Sequence, residues 1–166
     1  TPLKRQVNVE QICNAVDFFI KNISITGQVL AIDSGQNLNW QTPDIMSKEI
    51  DVSKIVKYAK SKLKYFDCLI NNASLFKNDK LESFTTDSWD KHLKTNLRTP
   101  ALLSKEFAKN VKGKNNNIIN IIDQRVFKLT PYFFSYTISK TGLYTLTKTS
   151  AMSLAPNIRV NGIAPG

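Results

Sequence analysis

Four short apolar runs, separated by stretches of helical periodicity, constrain this chain more than any other feature. They lie within residues 26–33, 66–70, 118–122 and 158–164. Each is too short for a helix and is bounded by turn formers, which fits a strand buried on both faces. Between them the apolar residues recur at helical spacing. Val9, Ile12, Ala15, Val16, Phe19 and Ile20 predict a helix from an Asn8 N-cap to about residue 22, with Gln11 completing a capping box. Further helices are expected from about 53 to 65, from a Thr86 cap through Trp89, Leu97 and Phe107 with Pro100 as a kink, and from about 135 to 154. Strands alternating with helices imply a parallel sheet covered on both faces, because parallel connections need long crossovers. Ligands bind such sheets outside the carboxyl ends of the strands, where Asn71, Asn72, Ala73, Ser74, Asp123, Pro165 and Gly166 fall.

The remaining features exclude more than they assign. A length of 166 residues suits one domain, with a polar linker expected from 36 to 46. The net charge of +10 comes from lysines scattered between apolar positions rather than from a basic arm, so nucleic acid is not an expected partner. Cys13 and Cys68 sit in apolar runs and are expected to be buried free thiols. His92, the lone histidine, has no ligand cluster around it in the sequence, so no metal is expected. No apolar stretch is long enough to span a membrane, and the first residues lack the apolar core of a signal peptide, so a cytoplasmic setting is expected.

Tyr136 and Lys140 stand four residues apart on a predicted helix and so share a face. The ammonium is expected to favour the phenolate and bring the Tyr136 pKa down toward the range useful for acid–base work. Asp123, at the end of a predicted strand, and Asn96, in the preceding helix, are further candidates for the same site.

With these residues in place the chain resembles the short-chain dehydrogenase/reductase family. Asn71-Asn72-Ala73-Ser74 is similar to the family's Asn-Asn-Ala-Gly motif, Tyr136 and Lys140 match its catalytic pair, Asn96 matches its helix asparagine, and 158–166 matches its strand leading to a Pro-Gly turn. The resemblance implies a Rossmann-like, doubly wound α/β fold and hydride transfer with a nicotinamide dinucleotide, NADPH first and NADH second. It implies Asn96, Asp123, Tyr136 and Lys140 as catalytic residues. Asp51, Val52, Asn72, Ala73, Ser74, Tyr136, Lys140, Pro165 and Gly166 would meet the cofactor, with Asp51 and Val52 at the adenine. Asp123 in place of the family's serine, and Asn72-Ala73-Ser74-Leu75-Phe76, resemble the pteridine reductase branch. There Phe76 would stack on a pterin and Asp123 would bind and help protonate it. The alternative for Phe76 is that it only anchors its loop.

The order of the segments departs from the family. Residues 1–44 resemble its C-terminal helix and strand followed by a linker, whereas 45–166 resemble its central catalytic part, and together they are expected to form one domain. No Gly-x-x-x-Gly-x-Gly is present, so the opening strands are expected to be lacking and the strand ending at Ile70 to have an unpaired edge. The leading function is reduction of a pterin-like or other small carbonyl or imine substrate, by an enzyme that self-associates as a homo-oligomer. A catalytically silent, self-associating remnant is the alternative, and a basic nucleic-acid binder ranks last.

Overall fold

The computed structural model describes residues 8–32, 51–63 and 65–166. Asp33, the turn at Ser34 and Gly35, the expected linker and the division at 44 and 45 lie outside the described residues.

The capping box forms as the local sequence dictates. Asn8 accepts from the Gln11 N–H at 2.9 Å, Gln11 reaches back to the Asn8 N–H, and α1 runs from Val9 to Lys21. Gly27, in the left-handed region at φ +70°, turns the chain into β1 (Val29–Ile32). Helix α2 (Val52–Lys62) precedes β2 (Cys68–Asn71). The long helix is divided into α3 (Thr86–Leu93), a π turn (Lys94–Arg98) and α4 (Thr99–Asn110). It leads to β3 (Asn116–Ile121), and α5 (Phe134–Leu154) then leads to β4 (Ile158–Pro165).

All four strands are parallel, in the order β1-β4-β3-β2. The α/β architecture expected of the sequence is therefore present, in a sheet of four strands among the described residues. Strand alternation sorts the side chains onto two faces. Ile118, Ile158 and Val160 pack with Phe107 and Ala151 of α4 and α5, whereas Ile119 and Ile163 pack with Ala15 and Phe19 of α1. Among the described residues β2 pairs only with β3, and Ile70 on β2 is 46 % exposed.

Several boundaries differ from the sequence expectation. Helix α2 starts at Val52, capped by Asp51, and stops at Lys62, where Leu63 is already extended. Thr85 rather than Thr86 caps α3, accepting from the Ser88 N–H. Pro100 does not produce a simple kink. Its ring would clash with the carbonyl of residue 96 in a regular helix, and the backbone widens instead, so that the Thr99 N–H reaches the Lys94 carbonyl five residues back. Cys13 is exposed rather than buried and Cys68 is only half-buried. Cys13 lies two residues from the buried Ala15, hence on nearly the opposite side of α1.

Two polar arrangements tie the layers together, and neither was expected. Asn71 and Asn120 are register partners on β2 and β3. Asn71 donates to Asn120 Oδ1 at 2.7 Å, and Asn120 donates to Thr147 on α5 at 2.9 Å. On the other face Arg159 of β4 donates to the carbonyls of Phe19, Ile20, Asn22 and Ile25, thereby capping the C-terminus of α1. No helix among the described residues is long and apolar enough to cross a membrane.

Candidate active site

The carboxyl ends of β2, β3 and β4 open into a cleft of about 410 Å³. Its walls include Ser74 and Phe76 after β2, Asp123 and Arg125 after β3, Tyr136 and Lys140 from α5, and Pro165 at the end of β4. Ile12 and Cys13 of α1 and Ile70 of β2 line its apolar side. This is the sheet end expected from the alternation of strands and helices, because parallel strands deliver their connecting loops there.

Helix α5 is held at its N-terminus from outside its own sequence. Phe133 at its N-cap sits in the left-handed region at φ +58° and gives no side-chain cap. Asp79 supplies one instead, accepting from the Ser135 N–H at 2.9 Å, while Asn78 accepts from the Phe133 N–H. One turn on, the Tyr136 hydroxyl donates to Asp123 Oδ2 at 2.8 Å. Lys140 is buried beneath it and donates to the Ile121 carbonyl at 2.8 Å.

The electrostatics reverse one expectation. The Tyr136 pKa is not lowered but raised well above its ordinary 10. Burial is the largest cause, followed by the Asp123 charge and the hydrogen bond to it, with Arg125 and Ser74 acting weakly in the opposite direction. The phenol is 5 % exposed, and its proton is bound to a carboxylate that would repel the phenolate. Lys140 bears the burial cost itself. Its pKa falls from 10.5 to about 8, with Asp123 opposing the fall. The i,i+4 spacing placed both groups on one face correctly, but could not show that an acidic neighbour and desolvation outweigh the ammonium.

Asn96 is wholly buried on the π turn and fully engaged. Its amide donates to the Leu75 carbonyl and to Ser139 Oγ, each at 2.9 Å, and its oxygen accepts from the Leu75 N–H at 2.7 Å. It thus clamps the loop after β2 onto α5. Pro100 has no N–H, so the Asn96 backbone carbonyl lacks its regular helical donor.

Phe76 lines the cleft. It stacks on Phe133 at 4.5 Å between centroids and meets Tyr136 edge-on at 4.6 Å. Asp51 and Val52 are not among the residues lining the cleft, and Asp51 is committed to capping α2 through Ser53, whose hydroxyl is the largest cause of its lowered pKa. Ala73 and Asn96 are also outside the lining, whereas Asn72, Ser74 and Gly166 belong to it.

Arg125, Phe133 and Asp79 were missed by sequence reasoning. A signal for Arg125 exists, since Asp123 two residues ahead forms an Asx turn onto its N–H at 2.8 Å. His92 is buried near the Tyr136 ring as a structural group. Its Nδ1 donates to the Ser88 carbonyl and its Nε2 accepts from the Lys77 N–H, an arrangement of the neutral ring, and burial lowers its pKa. Among the described residues no group of three or more His, Cys, Asp or Glu side chains is placed to hold a metal.

A family model described as short chain dehydrogenase matches residues 25–166. The chain is 31 % identical to dehydrogenase/reductase SDR family member 4 of Pongo abelii, in an alignment covering 98 % of this chain and 54 % of that protein. It is similar in structure to FolM alternative dihydrofolate reductase 1 from Brucella canis complexed with NADP. That match has a TM-score of 0.67 and 47 % identity over 70 % of this chain and 48 % of the other. The corresponding protein of Brucella suis, in complex with NADP, gives a TM-score of 0.68 and 46 % identity over 70 % and 47 % of the two chains. The chain thus spans about half the length of the relatives it matches.

Proposed function

The chain belongs to the short chain dehydrogenase family, and from that premise we propose that it serves an NADPH-dependent reductase acting on a pterin-like or other small carbonyl or imine substrate. The observation that carries this reading is the Tyr136 hydroxyl bonded to Asp123 at the cleft, with Lys140 buried behind it. The identity of 46–47 % to two NADP-bound FolM structures supports the pterin-type assignment.

The residues present fit the nicotinamide and ribose part of the cofactor. The cleft offers an apolar side, the Lys140 ammonium and the polar groups of Asn72 and Ser74, and it is closed by Pro165 and Gly166. When bound, the cofactor supplies a hydride. Tyr136 delivers the matching proton, and the phenolate it leaves is stabilised by the Lys140 charge. Asp123, the hydroxyl's present acceptor, has lone pairs for a donor group on the substrate and can carry a proton back to the phenol. In this reading Asn96 completes the relay by holding a water for that return. Asp51, Val52 and Ala73 complete the cofactor contacts in this reading, with Asp51 and Val52 on the adenine side. Phe76 presents an aromatic wall to a flat substrate.

The pairing of β1 with β4 supports reading residues 8–32 as the counterpart of the family's C-terminal helix and strand. A homo-oligomer formed through α3, α4 and α5 is part of the same proposal, and the exposed Ile138 and Met152 on α5 are consistent with it.

The test is NADPH oxidation with dihydropterin and quinonoid dihydropterin, comparing the wild type with Tyr136→Phe. Turnover lost in the variant is expected, and equal rates would remove Tyr136 from the mechanism. Calorimetric titration with NADPH separates this reading from a silent remnant, which would give no heat at millimolar cofactor.

A further inference from the structure

Arg125 is 6 % exposed, an unusual situation for a guanidinium at the wall of an apolar cleft. Because Asp123 accepts the Arg125 N–H, the short turn Gln124–Val126 folds the arginine back toward that carboxylate. Nη1 then lies 3.5 Å from the same Oδ1 that accepts the backbone N–H. Two donors from one residue act on Oδ1, and Oδ2 is left facing the Tyr136 hydroxyl. A carboxylate is planar, so fixing one oxygen fixes the direction of the other.

The guanidinium also lies against the aromatic wall, 4.6 Å from the Phe133 ring centre and 5.3 Å from that of Phe76. Phe76 in turn meets the Tyr136 ring. Asp123, Arg125, Phe76 and Tyr136 therefore form a closed circuit of contacts, with Phe133 behind it. Each group in the circuit is restrained from two sides. A planar, weakly hydrated guanidinium suits both an aromatic face and a carboxylate, whereas an ammonium offers neither the fork nor the plane.

We propose that Arg125 is a positioning residue of this site, one that turns Asp123 toward the Tyr136 hydroxyl and backs the Phe76–Phe133 stack. The proton donor and the aromatic wall then keep one relative geometry. The role in catalysis rests on the reductase reading above, but the geometry can be tested without turnover.

The experiment is proton NMR on the full chain at low temperature, following slowly exchanging protons downfield of the amides. A resonance present in the wild type and absent in Tyr136→Phe is the phenol bonded to Asp123. The His92 Nδ1–H, bonded to the Ser88 carbonyl, is the internal reference for a folded site. In Arg125→Lys and Arg125→Gln the His92 signal should persist, while the phenol signal should shift or vanish. A phenol signal unmoved in either variant overturns the inference, as does the lack of any wild-type resonance that Tyr136→Phe removes. If neither variant keeps the His92 signal, Arg125 is a folding residue and the inference also fails. With turnover established, kcat should fall roughly 10- to 100-fold in both variants, while NADPH affinity stays within about twofold. A parallel loss of NADPH affinity would overturn the positioning role. If the wild type shows no turnover, the reductase reading fails and the NMR comparison still decides the placement of Arg125.

Discussion

The Tyr136 hydroxyl lies 2.8 Å from Asp123 Oδ2, across 13 residues of sequence, and donates its proton to that carboxylate. Burial and the neighbouring negative charge both hold the proton on the phenol, so at neutral pH this site stores an acid rather than a phenolate. A reductase that must protonate its product needs a donor of this kind.

Removing that hydroxyl should separate catalysis from folding. Tyr136→Phe is expected to lower turnover roughly 10²- to 10⁴-fold, the usual value of a positioned general acid. It also takes the donor from Asp123 Oδ2, at a cost of about 1–3 kcal/mol in urea unfolding. A double-mutant cycle with Asp123→Asn should show coupling between the two positions, and strictly additive losses would sink the pairing.

Lys140 makes stability depend on pH, and in the proposed reaction turnover as well. Its folded pKa of about 8 lies below its ordinary 10.5, so between those values the unfolded chain holds the extra proton and stability rises with pH. Below pH 8 the buried ammonium costs roughly 3 kcal/mol. Lys140→Met should therefore gain stability relative to wild type most strongly at pH 7, with the difference shrinking steadily from pH 8 to 10.5. A difference constant across that range would contradict the buried charge. In the wild type, reductive turnover should decline as pH rises through about 8.

Arg159 is expected to hold α1 to the sheet. Arg159→Met takes the guanidinium donors from the Phe19 and Ile20 carbonyls at the end of α1, while Asn22 keeps the Ile25 N–H, and should cost roughly 2–3 kcal/mol. Hydrogen exchange should quicken first in the last turn of α1. Arg159→Lys should not rescue, because one ammonium cannot span carbonyls from Phe19 to Asn22. Uniform exchange rates in α1 of the variants would exclude the capping role.

Gly162 sits where β4 passes beneath Ile122. A Cβ there would lie 2.5 Å from Ile122 Cδ1 and 3.2 Å from Val29 Cγ2. Because Ile122 is buried, Gly162→Ala should destabilise by about 1–3 kcal/mol. A truncating Ile122→Val change in the same chain should recover part of the loss, and no recovery would point to a backbone cause.

Much of the fold was legible because its signals are local. The Asn8 and Gln11 capping box fixed the start of α1, and the apolar runs placed the cores of all four strands to within about three residues. The Tyr136 and Lys140 spacing put both groups on the cleft side of α5. Other features were not legible because they depend on partners distant in sequence. Nothing near residue 133 announces that Asp79 caps α5, and Asn120 inside an apolar run gives no sign that Asn71 and Thr147 will satisfy it. The π turn at Asn96 follows from Pro100, yet a proline alone does not say whether a helix will bend or widen.

The sequence by itself determined the alternation of strand and helix and the residue types gathered at the ends of the strands, because periodicity and capping act over a few residues. Tertiary structure alone decided which strand neighbours which, that Arg125 lies against both Asp123 and the aromatic wall, and that Tyr136 holds its proton more tightly instead of releasing it. Those outcomes depend on burial and on charges brought together from separate segments, and desolvation is a property of the packed site rather than of any stretch of chain.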